Sequence, residues 1–143
     1  MKTVLAPIDF SSAGDRVIAE AVALARAIGA RLVLLHVVTP REAGEAAARR
    51  LARIQRGLRD AGITAHAIHT GGDARQDIVA QAERLAASYI VMGSHGRTAL
   101  YEVLVGGTAS GVLRDAACTV VLVPPATRPG WGAKTPAPKP AGP

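Results

Sequence analysis

The sequence predicts an open α/β domain, a parallel sheet with helices on both faces. Three observations carry that expectation. Short apolar runs alternate with amphipathic helical patterns along most of the 143 residues. The second run, residues 31–38 (Arg-Leu-Val-Leu-Leu-His-Val-Val), is apolar almost throughout, as a strand covered on both faces must be. Glycines punctuate the chain after the fourth run: Gly93 and Gly96 form a turn, and Gly106-Gly107 opens the next helix.

Residues 3–8 read as the first strand, ending in Asp9-Phe10-Ser11-Ser12. Ser12 with Asp15 has the spacing of a capping box and predicts a helix opening near Ala13. Val17, Ala21, Leu24 and Ile28 share one stripe of that helix, and Gly29 ends it. After the second strand, Thr39-Pro40-Arg41-Glu42 predicts a cap, a proline at the first helical position and an acid at the third. The helix that follows holds Ala47, Leu51, Ile54 and Leu58 inward and Arg49, Arg53 and Arg56 toward solvent, and Gly62 closes it. Residues 63–70 alternate rather than run apolar, which predicts a strand at a sheet edge.

Gly71-Gly72-Asp73 predicts a turn into a third helix capped by Asp73, with Ile78, Ala82 and Leu85 inward. Residues 88–92 are the fourth strand. Residues 107–116 are the fourth main helix, with Ala109, Val112, Leu113 and Ala116 inward, and residues 119–123 are the last strand. Beyond it, residues 125–143 are dominated by Pro, Gly, Ala and Lys, a composition expected of a mobile tail. Strand five is apolar on both faces. As a sheet edge it calls for covering, which self-pairing in a two-fold dimer provides.

The net charge of +6 resides in two places. Residues 41–60 hold six arginines against Glu42, Glu45 and Asp60, and the tail adds Arg128, Lys134 and Lys139. Phe10, Tyr89, Tyr101 and Trp131 are the only aromatics, so no stacking platform for single-stranded nucleic acid is evident, and a solvated helix face explains the charge better. The single cysteine, Cys118, excludes an internal disulfide and reads as an inert core thiol. No apolar run approaches the ~20 residues of a membrane span, and the first residues lack a signal-peptide layout, so a cytoplasmic protein is expected. The Walker phosphate loop, the G-x-G-x-x-G fingerprint, the nucleophile elbow and the paired-histidine zinc motifs are all absent.

What remains is an anion site. Ligands of open parallel sheets bind beyond the C-terminal strand ends, where strand order reverses. With strand one central, the loops after strands one and four meet there, Pro7-Ile8-Asp9-Phe10 against Gly93-Ser94-His95-Gly96, and strand two adds an apolar wall at its end. Glycine turns and a helix N-terminus suit a phosphate chain.

The spacing Gly93-x2-Gly96-x9-Gly106, between an apolar strand and a helix leading to Cys118-Thr-Val-Val-Leu-Val, resembles the universal stress protein family. So do Val4-Leu5-Ala6-Pro7-Ile8-Asp9-Phe10-Ser11, Leu34-Leu35-His36-Val37 and Gly72-Asp73. The resemblance covers residues 1–124, leaving the tail outside. It implies a Rossmann-like (adenine nucleotide alpha hydrolase-like) sheet of order 3-2-1-4-5 and a homodimer through strand five. It also implies ATP as ligand, with Mg²⁺ on its phosphates. Carried over residue by residue, Asp9 stands near the adenosine or the Mg²⁺, with Pro7 beside it, and Val37 meets the adenine. Gly93, Ser94, His95, Gly96, Arg97, Thr98, Gly106, Gly107 and Thr108 surround the phosphates. One position departs from the pattern: Gly107 stands where ATP-binding members carry Ser or Thr, and Thr108 comes one residue late. Asp9 has a competing reading as a helix-proximal cap, and Val37 as a plain strand residue. The implied function is a nucleotide-sensing or regulatory dimer in stress survival. Its alternatives are a stress protein acting through protein contacts alone, and a slow ATPase or nucleotide-transfer enzyme.

Overall fold

A computed structural model describes residues 1–11, 13–94 and 107–125 of the chain. Five strands and four helices alternate: β1 (Thr3–Pro7), α1 (Gly14–Ile28), β2 (Arg31–Val38), α2 (Gly44–Asp60), β3 (Ala65–Gly71), α3 (Ala74–Arg84), β4 (Tyr89–Gly93), α4 (Gly107–Asp115) and β5 (Thr119–Val123). The strands form one parallel sheet of order β3-β2-β1-β4-β5. The central position of β1 follows from its residues: Thr3, Val4, Leu5 and Ala6 are all buried, as a strand flanked on both edges and covered on both faces requires.

The pleat sorts side chains into two cores. Val4, Ala6, Leu32, Leu34 and Val91 face α1 and α2, meeting Val17, Ala21 and Leu51. Leu5, Val33, Leu35, Ile90 and Met92 face α3 and α4, meeting Ile78, Ala82, Ala109 and Val112. Alternate strand residues therefore serve opposite helix layers, which is why β1 and β2 read as continuous apolar runs. β3 lies at an edge, and of its seven residues only Ala65 is fully buried.

Two local expectations, at α2 and α4, are corrected. Helix α1 begins at Gly14 with Ala13 at its cap position, near Ala13 as expected, and the Gly14 N–H is taken by the Ser11 carbonyl at 2.9 Å. The proposed cap, Ser12, lies outside the described residues. Helix α2 begins at Gly44, not just after Thr39, because Ala43 is extended (φ −75°, ψ 120°). The Thr39–Glu42 spacing does form half a capping box, with the Thr39 N–H donating to Glu42 Oε2 at 2.7 Å, but it closes a single turn. Leu113, expected inward, is 46% exposed: its neighbour Val112 occupies the core, and one residue turns the side chain through about 100°.

Helices α1, α2 and α3 all end in the same hydrogen-bond pattern, a left-handed residue followed by a 6→1 backbone bond. Gly29 (φ +65°) and Gly62 (φ +81°) supply it for the first two. The third is Ala86, at φ +50°.

Candidate functional site

β1 leads to α1 on one face of the sheet and β4 leads to α4 on the other, so a crevice opens between the C-terminal ends of these neighbouring strands. A cavity of about 320 Å³ occupies it, at the lower end of the ~300–1,000 Å³ typical of small-molecule sites. Pro7, Ile8 and Asp9 line it from β1, Leu35, His36, Val37 and Thr39 from β2, and Met92, Gly93 and Ser94 from β4. The N-terminal turns of three helices complete it: Ala13 and Gly14 at α1, Ala74 and Ile78 at α3, and Gly107, Thr108 and Ala109 at α4.

Three positive helix ends at one cavity favour an anion, and they are not equivalent. Helix α1 carries Asp15 in its first turn, and α3 carries Asp77 there behind the Asp73 cap. These carboxylates offset part of each helix field. Helix α4 has no acid in its first turn, so no carboxylate there offsets its field. The apolar part of the lining, Leu35, Val37, Ile78 and Met92, suits a flat ring.

Both rims are tied down. The Ser94 N–H donates to the Val123 carbonyl at 3.0 Å, extending the β4–β5 pairing into the start of the glycine turn. Arg16 Nη1 donates to the Pro124 carbonyl at 2.7 Å and joins α1 to the end of β5. On the β1 side, Asp9 Oδ1 accepts the Ser11 N–H at 3.0 Å, an Asx turn around Phe10. Phe10 itself is left-handed, at φ +60°. That conformation costs about 1–2 kcal/mol for a residue with a Cβ.

Phe10 rests on His36, ring centroids 4.2 Å apart at 34°, and the Arg50 guanidinium sits 4.2 Å from the other side of its ring. His36 is 1% exposed. Its Nδ1 lies 2.7 Å from the Ile8 carbonyl and its Nε2 lies 3.1 Å from each oxygen of Glu42. A carbonyl oxygen only accepts, so in the contact with Ile8 the hydrogen is on Nδ1.

Of the sequence-derived site residues, Pro7, Asp9, Val37, Gly93, Ser94, Gly107 and Thr108 line this one cavity. His95, Gly96, Arg97, Thr98 and Gly106 lie outside the described residues, as does Tyr101. The sequence placed Ile8 and Phe10 in the loop at the crevice, His36 at the end of strand two and Glu42 in a helix start, but gave none of them a role of its own in the site, and gave none to Ala74. A lone histidine inside an otherwise apolar strand was a usable signal, since a buried imidazole needs partners for both nitrogens. Among the described residues no three of His, Cys, Asp and Glu group as a metal site, and no helix is long and apolar enough to cross a membrane.

Fold and cavity together define a doubly wound α/β domain with a cavity at its topological switch point. The family model described as "Universal stress protein family" matches residues 1–124. The chain belongs to the universal stress protein family. Universal stress protein MJ0577 of Methanocaldococcus jannaschii is 27% identical over 152 aligned residues, spanning 85% of this chain and 94% of the relative. A solved structure of MJ0577 superimposes with a TM-score of 0.80 at 28% identity, covering 89% of this chain and 98% of that one. UspA from Lactobacillus plantarum gives 0.74 at 26% identity, covering 85% and 97%. A universal stress protein from Archaeoglobus fulgidus, solved in complex with dAMP, gives 0.66 at 23% identity, covering 85% and 96%.

Proposed function

We propose that this chain binds ATP with Mg²⁺ in the switch-point cavity and acts as a nucleotide-sensing, regulatory homodimer of the cytoplasm in the stress response, rather than as a fast enzyme. The observation that carries the reading is the α4 N-terminus. It is free of first-turn acid and presents Gly107 and Thr108 to a cavity that Leu35, Val37, Ile78 and Met92 also line with apolar side chains. In this reading the phosphates lie along Gly93-x2-Gly96-x9-Gly106 and the α4 end, with Ser94, His95, Arg97, Thr98, Gly107 and Thr108 around them. The adenosine lies by Pro7, Asp9 and Val37. The dAMP complex of the A. fulgidus protein supports it to this extent: the same fold holds an adenine nucleotide there. The donor set fits a nucleotide-borne Mg²⁺ better than a resident metal, because Asp9 is the one carboxylate among the described lining residues and phosphate oxygens would complete the shell.

The dimer reading rests on β5. It is an edge strand with Val120, Val121 and Leu122 half-buried, and a second copy would cover it. Gly107 favours the second reading, a family member acting through protein contacts alone, because it lacks the hydroxyl of the ATP-binding pattern.

Calorimetry with ATP and Mg²⁺ on the purified chain, beside Gly96→Glu and Gly107→Ser, tests the assignment. Micromolar binding, abolished in Gly96→Glu and tightened in Gly107→Ser, is expected. No binding at millimolar ATP in wild type and Gly107→Ser alike overturns the nucleotide reading. Sedimentation equilibrium reads the assembly, and a monomer throughout the micromolar range overturns the dimer.

A further inference from the structure

We infer that His36 is a positioning residue for the nucleotide site, a strut that locks the β1–α1 loop into its binding conformation by bonding Ile8 at one end and Glu42 at the other. The inference rests on the nucleotide reading of the cavity and goes beyond it by naming what holds the cavity's adenosine wall in shape.

His36 sits in β2 where both sequence neighbours on the strand, Leu35 and Val37, are apolar. Leucine there would satisfy the strand and the core at lower desolvation cost. The imidazole is tolerated because both its nitrogens meet acceptors. Those acceptors lie in the two loops that build the cavity on this side. The Ile8 N–H bonds Leu35 O at 2.8 Å, the last contact of β1 with β2, and the Ile8 carbonyl bonds His36 Nδ1 at 2.7 Å. The peptide leading into Asp9 is thereby held from both sides, which sets the direction in which the Asp9 carboxylate leaves the chain. At the other end, Glu42 bonds the Thr39 N–H as well as His36, so the ring also fixes the β2–α2 turn where Thr39 lines the cavity.

The strut also explains Phe10. Its left-handed backbone is disfavoured, and what opposes that is the contact of its ring with His36 on one side and Arg50 on the other. Without the imidazole, Phe10 relaxes toward ordinary φ and draws Asp9 and Ser11 with it. The left-handed cost corresponds to a competent population of about one in ten, and apparent affinity falls by the same factor.

The test separates positioning from stability. His36→Leu leaves the Ile8 carbonyl without this donor and Glu42 without the imidazole, so it is destabilised whatever His36 does. His36→Leu with Glu42→Gln removes the unpaired charge, keeps an acceptor for the Thr39 N–H and recovers much of that stability. His36→Asn keeps a donor at the Nδ1 position. The expected result is ATP binding about tenfold weaker in the double variant despite its recovered melting temperature, and close to wild type in His36→Asn. Hydrogen exchange of the Ser11 amide, measured without nucleotide, is expected to quicken in the double variant. Wild-type affinity in the double variant, or an unchanged Ser11 amide, overturns the strut while leaving the nucleotide site standing. No ATP binding by the wild-type chain overturns the nucleotide site itself, and the positioning role with it.

Discussion

Replacing Ala86 by glycine should stabilise the protein, although glycine is ordinarily a destabilising substitution. Helices α1, α2 and α3 end alike. The Ala30 N–H bonds Ala25 O at 2.8 Å, the Ile63 N–H bonds Leu58 O at 2.8 Å, and the Ala87 N–H bonds Ala82 O at 2.9 Å. Each bond reaches back across a residue of positive φ, and only at α3 does that residue carry a Cβ. Holding alanine in the left-handed region costs about 1–2 kcal/mol. Glycine returns that cost but loses about 0.5–1 kcal/mol more backbone entropy on folding. The difference is a gain of about 0.5–1 kcal/mol, or about 2–5 °C in melting temperature for a domain of this size. The Ala86 side chain is exposed, so removing its methyl group forfeits little packing. Urea titration of Ala86→Gly should show a raised midpoint at an unchanged slope. Gly29→Ala and Gly62→Ala, run alongside, should each lower it. A lowered midpoint in Ala86→Gly would refute the strain argument, because the strain term is at least as large as the entropy term that opposes it.

Two further outcomes follow from single contacts. Asp73 Oδ1 accepts the Gln76 N–H at 2.9 Å at the head of α3, so Asp73→Ala should cost about 1 kcal/mol in the same titration, and Asp73→Asn much less. Burial pushes the Cys118 thiol up from its ordinary value. Alkylation by iodoacetamide at neutral pH should therefore run slower than for a free thiol. Above the ordinary thiol range the unfolded chain releases this proton before the folded one does, so stability should fall as pH rises there, a slope that Cys118→Ser removes.

Much of the architecture was legible because each part of it is encoded locally. The apolar run at residues 31–38 could be satisfied only by a strand covered on both faces, and Asp73 announced its helix through a cap that needs nothing beyond three residues. The alternation at residues 63–70 marked an edge for the same reason: a strand with one partner and thin cover tolerates polar side chains. The errors arose where a local signal had a distant competitor. Thr39 and Glu42 carry the spacing of a helix start, and the bond between them forms, yet Glu42 also answers His36 from inside the sheet, and the helix begins two residues later. Leu113 matched the helical stripe, but Gly111 and Val112 take the buried side of α4 at that turn and leave Leu113 exposed.

By itself the sequence determined the order and kind of the elements, the family, and which glycines, aspartate and strand ends would converge if β1 were central. Only the tertiary structure decided that three helix ends face one cavity and that the α4 end alone lacks a compensating acid in its first turn. It also decided that a histidine and a glutamate six residues apart clamp a loop 28 residues upstream of that histidine. Periodicity and caps are properties of neighbouring residues and can be read along the chain. The field in a crevice and the partners of a buried imidazole are sums over residues that meet only after the sheet has closed.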